Sequence, residues 1–69
     1  SVRALGSRAV LAKARGELAR AEELHRRAIE RAESASDLDP ITRELQRSNY
    51  ASFLVESGRP EEALALLAS

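Results

Sequence analysis

The chain contains no cysteine, no methionine and no tryptophan. Without cysteine there is no disulfide to staple a small fold and no thiolate to hold a metal. The aromatics are one tyrosine and one phenylalanine, and His25 is the only histidine. A lone histidine offers none of the paired spacings that metal sites use, so no metal site is expected. Two aromatics make a poor platform for stacking bases. Excess charge is missing too: eleven Lys and Arg residues balance eleven Asp and Glu residues. That balance leaves no electrostatic footprint for a nucleic acid or an anionic membrane. No apolar run nears the roughly 20 residues that span a bilayer. No amino-terminal segment has the pattern of a signal peptide. The simplest compartment is therefore cytoplasmic. A chain that begins with Ser1 and lacks methionine is expected to be a fragment or a trimmed product. Ten of its eleven basic residues are arginine, a usage that suits a GC-rich bacterial genome.

Glycine and proline are scarce, at three and two residues, so each reads as punctuation. Ala, Leu, Glu and Arg dominate the rest, and all four are strong helix formers. The pattern predicts four helices, over about 2–15, 17–35, 40–57 and 60–68. Gly16 and Gly58 end the first and third, because glycine accepts the left-handed conformation of a helix terminus. Gly6 falls inside the first helix and weakens it. In the second helix, Leu18, Ala21, Leu24, Ala28, Ile29, Ala32 and Ala35 recur at steps of three or four and define one buried face. The opposite face carries Glu22–Arg26 and Glu23–Arg27, with the acid four residues before the base. Such pairs are worth about 0.2–0.5 kcal/mol each and predict a solvated surface. Residues 34–39 form the connector. Asp39 before Pro40 is a helix-start signal, an acceptor for free N–H groups followed by a ring suited to the first helical position. The third helix offers Ile41, Leu45, Tyr50, Ala51, Phe53, Leu54 and Val55 as apolar residues. The fourth offers Ala63, Leu64, Leu66 and Leu67, and is about half as long as the second.

Gly16 and Gly58 stand 42 residues apart, and the same offset pairs Ala9 with Ala51, Ala21 with Ala63 and Leu24 with Leu66. These are physically meaningful places. The glycine turns the chain between antiparallel helices, the alanines let two backbones approach, and the leucine fills the groove beyond them. Two helical hairpins at a fixed period predict an all-α solenoid, with one repeat at about 2–36 and a second at about 39–69.

The segments ELARAEELHRRAIERAE and NYASFLVESGRPEEALALL resemble tetratricopeptide repeats, in particular the 42-residue kind of kinesin light chains and bacterial signalling proteins. Ala21, Glu22, Leu24, His25, Arg27, Ala28 and Glu30 fit that pattern, as do Asp39–Pro40 and Asn49–Tyr50–Ala51. Arg8, at a place usually apolar, and Gly6 depart from it. The resemblance implies a scaffold for protein–protein recognition, with a protein or peptide partner on the concave face and no cofactor. It implies that the first helix of each pair lines that face. Helix geometry then turns Leu45, Ser48, Asn49, Ser52, Val55 and Glu56 toward the groove, while Ala51 and Leu54 pack inward against Ala63 and Leu67. The matching strip on the first helix is Arg3, Gly6, Ser7, Val10, Lys13 and Ala14. Asn49 is the leading candidate, because its amide both donates and accepts and so suits a peptide backbone; the plainer alternative is that it bonds only solvent or a neighbouring helix. Arg3 and Lys13 are expected to be solvated charges. Gly6 and Val10 stand where some members of the family clamp a carboxylate, which argues against that mode here.

An enzyme needs a base, acid or nucleophile with an orienting partner, and none is in view. His25 alone titrates near neutral pH. It lies beside the apolar stripe and is expected to fill space at its edge. No phosphate-binding Gly–Lys–Ser/Thr motif occurs. An array of this kind normally needs about three repeats and polar caps at its ends. Leu64, Leu66 and Leu67 in the last helix therefore predict self-association through the carboxy-terminal helix, or service as a sensor arm of a larger protein.

Overall fold

Gly16 and Gly58 set the frame of the chain. Both have positive φ, 80° and 77°, a region in which only glycine avoids a clash between Cβ and the backbone. In the computed structural model, which describes residues 2–34 and 40–68 with side chains from Ala4 onward, each glycine ends a helix in the same way. At the first turn the Gly16 N–H donates to the Lys13 carbonyl at 2.9 Å and the Glu17 N–H to the Ala12 carbonyl at 2.9 Å. At the second, the Gly58 N–H donates to Val55 at 3.0 Å and the Arg59 N–H to Leu54 at 2.8 Å. This is the double bond pattern of a Schellman cap, which satisfies carbonyls that the helix end would otherwise orphan.

Four helices result: α1 (Val2–Ala14), α2 (Leu18–Ser34), α3 (Pro40–Glu56) and α4 (Pro60–Ala68). The chain is all-α across the described residues. The caps consume residues 15–17 and 57–59, so α1, α2 and α3 are each slightly shorter at those ends than periodicity predicts. Asp39 and Ala35 lie outside the described residues. At nine residues, α4 is about half the length of the seventeen-residue α2. Each helix packs chiefly against its neighbours in sequence, α1 on α2, α2 on α3 and α3 on α4. The Cα envelope measures 33 × 25 × 14 Å, thin enough that every helix keeps a face toward solvent.

The core is built from small residues at crossings and large ones between them. Ala9 and Ala21 are 0 % exposed, which lets α1 and α2 approach closely. Leu24, Tyr50, Phe53 and Leu54 fill the space beyond, with Ala51 and Ala63 at the α3–α4 crossing. Leu66 is partly buried against this cluster. A satellite of Ala28 and Ala32 extends it under Leu5.

Leu18 and Leu67, assigned inward, face out, as does Ile41. Leu18 is 49 % exposed and Ile41 79 %. Each sits in the first turn of its helix. Leu67 is 52 % exposed; Ala51 and Leu54 meet Ala63 and Leu66 instead. Gly6 is also different from expectation. It is buried, and a Cβ there would come within 3.0 Å of Gln46 Oε1. The glycine leaves room for Gln46 of α3 to lie against α1.

Candidate functional site

The groove strip on α3 divides between two neighbours. Leu45 and Asn49, with Gln46, face α1 across a depression of about 190 Å³ that Gly6, Ser7 and Val10 complete. Here Asn49 is half-buried, while Leu45 and Val10 are 50 % and 62 % exposed. Ser48, Ser52, Val55 and Glu56 face the other way, toward α4. They form a groove of about 540 Å³ with Ala51, Ala63, Leu64 and Leu67, and its lining is predominantly apolar. Val55, Leu64 and Leu67 are each more than half exposed along it. Lys13 and Glu56, both assigned to the strip, form an ion pair that ties α1 to α3. Arg3 has no described side chain.

Between these surfaces lies the α2–α3 joint, where the structure adds most to the sequence reading. His25 is not at the edge of the packing but inside it, 3 % exposed. Its ring stacks on Tyr50 at 5.7 Å between centroids with a 12° interplanar angle, and lies 5.3 Å from Phe53. Burial, helped by the Lys13 charge, holds its pKa below the usual histidine value. Its Nδ1 and the Gln46 Oε1 are buried without a hydrogen-bond partner among the described residues. A ring wedged between two aromatics is suited to packing.

Glu22 closes the joint on one side. The Tyr50 hydroxyl donates to its Oε2 at 2.7 Å, and both terminal nitrogens of Arg59 donate to its carboxylate, at 3.0 and 2.8 Å. Such a two-pronged arginine–carboxylate contact is both strong and directional. Arg59 also holds Glu62 through Nε at 2.7 Å, and Arg26 Nε donates to the Tyr50 hydroxyl at 3.2 Å. The Arg59 hydrogen bonds, followed by that from Tyr50, lower the Glu22 pKa to about 2. Glu22 is thus half-buried rather than part of a freely solvated stripe. Farther along α3, Arg47 Nη2 donates to the Leu66 carbonyl at 2.6 Å and caps the carboxy-terminal turn of α4, where helix carbonyls lack partners.

Among the described residues no group of His, Cys, Asp and Glu could hold a metal ion. No described helix is long and apolar enough to cross a membrane. Two open surfaces adjoin α3: the shallow α1–α3 depression and the α3–α4 groove. Comparison with protein-family models, curated proteins and solved structures gives no match for this chain.

Proposed function

We propose that the chain is a protein-interaction module, a segment of tetratricopeptide-like helical repeat that docks a protein or peptide along α3. One observation carries the reading: beside α3 lies an open apolar groove along which Val55, Leu64 and Leu67 are each more than half exposed. Exposed apolar surface of this kind, rimmed by polar residues, marks interaction sites. The repeat assignment draws on the matched caps, the paired alanines Ala9/Ala51 and Ala21/Ala63, and the single 42-residue offset that relates them. The α1–α3 depression extends the surface, with Asn49 available to a peptide backbone. His25 is assigned to packing and the module has no catalytic role. A second reading, self-association through α4, draws on the same exposed leucines.

The test is selection of displayed peptides against the folded chain, followed by amide chemical-shift mapping. Perturbations concentrated at Asn49, Ser52, Val55 and Leu64, and lost in Leu64→Glu, support the reading. Binders that perturb only Glu23, Arg27 and Glu30 on the outer face of α2 sink it.

A further inference from the structure

The 42-residue offset relates more than residues; it relates surfaces. Subtracting it carries the open α3–α4 groove onto the α1–α2 surface that α3 already covers. Val55, Ala63, Leu64 and Leu67 map onto Lys13, Ala21, Glu22 and His25. In the first pair of helices, His25 and Glu22 are the residues that meet Phe53 and Tyr50. The covering face has its own counterpart. Tyr50, Phe53 and Arg59 map back onto Arg8, Leu11 and Glu17, and these line a depression on the outer side of α1 and α2. Phe53 is 3 % exposed, whereas Leu11 is 54 % exposed. The chain therefore carries one filled joint and the two halves of a second, a socket at α3–α4 and a plug at α1, at opposite ends.

We infer that the α3–α4 groove receives the outer face of α1 from a second copy of this chain, head to tail. The existing α2–α3 joint is the template. Leu11 takes the place of Phe53 and meets Leu67 where Phe53 meets His25. Arg8 takes the place of Tyr50, its aliphatic stem lying over Leu64. The polar pair Tyr50–Glu22 is thereby replaced by an apolar contact. Charge is compatible with this occupant. The plug carries Arg8, Arg15 and Arg20 against Glu17 alone, and Glu61 stands in the first turn of α4, while Glu56 and Glu62 at the socket are already paired with Lys13 and Arg59. A contact between two different surfaces leaves one of each free at the ends of every assembly, so it propagates rather than closing as a symmetric dimer.

The inference rests on the α3–α4 groove being a docking surface, and the experiment separates the two. Sedimentation of the chain from about 10 µM to about 1 mM covers the range of a small interface. We expect masses that grow with concentration past a dimer. Leu11→Glu removes the plug and Leu67→Glu the socket. Both residues are more than half exposed, so the helical circular dichroism is retained, and each variant alone loses association about 10-fold or more. Mixed in equal amounts, the two variants form a dimer of twice the 7.5 kDa chain and nothing larger, since each supplies the half the other lacks. Leu64→Glu is a second socket variant and gives the same complementation. A wild-type chain that stays monomeric throughout overturns the inference. So does association that survives Leu11→Glu but not Leu67→Glu, the mark of a symmetric contact through α4. If the chain is monomeric while selected peptides still map to the groove, only this inference fails. If those peptides map elsewhere as well, the docking surface fails with it.

Discussion

The two hairpins, α1–α2 and α3–α4, are built on one plan and end in different circumstances. Both turn on a left-handed glycine with the same pair of capping bonds, and both cross on paired alanines. In the first, the surface beyond the crossing is covered by α3, with His25 at 3 % exposure. In the second, the equivalent Leu67 is 52 % exposed. The difference in coverage follows from the neighbours: α3 lies on the first hairpin. Local sequence sets the turn and the crossing, while burial depends on whether another helix arrives.

The largest test of this contrast compares Phe53 with its counterpart Leu11. Phe53→Ala should cost about 3–5 kcal/mol, the range for a large buried ring, enough to unfold much of a chain this small. Leu11→Ala, measured by urea unfolding in dilute solution, should cost less than about 1 kcal/mol. Equal costs would show that the two ends are not differently covered. The turns should behave alike instead. Gly16→Ala and Gly58→Ala should each lose about 1–2 kcal/mol, because a Cβ is strained at positive φ in both. A twofold disparity would mean that the caps are not equivalent.

Glu22 provides the next test, since its counterpart in the second hairpin is Leu64. Glu22→Gln should lose about 1 kcal/mol at neutral pH, after allowing for solvent screening of a partly exposed pair. Because folding lowers the Glu22 pKa from 4.5 to about 2, its contribution is complete above about pH 4.5 and disappears as pH falls toward 2. Acid unfolding monitored by circular dichroism should thus be shallower over that window in the variant. The smallest effect belongs to His25. Its folded pKa is lowered from 6.5, so the unfolded chain binds the proton first. Stability from this source is full above about pH 6.5 and declines below it. His25→Leu should remove that decline from melting temperatures taken between about pH 5 and 8.

Much of the fold was legible in the sequence because its determinants are local. Gly16, Gly58 and the helix periods act within a few residues, and the alanine pairs repeat at one offset. The joint was not legible, because its members are far apart. Glu22 stands four residues before Arg26, a pattern that reads as a solvated pair. Its stronger partner, Arg59, is 37 residues away. Leu18 obeys the apolar period but sits at a helix start, where the period says nothing of coverage. Gly6 reads as a flaw until Gln46 is seen lying against it. The strip holding Asn49 was recognisable as one face of α3, yet its division between α1 and α4 follows from where those helices stand.

The same difference in sequence distance orders events in time. The capping bonds of each hairpin span three to five residues and can form within the microseconds typical of local structure. Tyr50 and Arg59 reach Glu22 across 28 and 37 residues, so the joint forms only when two hairpins meet. The Glu22 contacts therefore belong to the docking of the two hairpins and not to the making of either one.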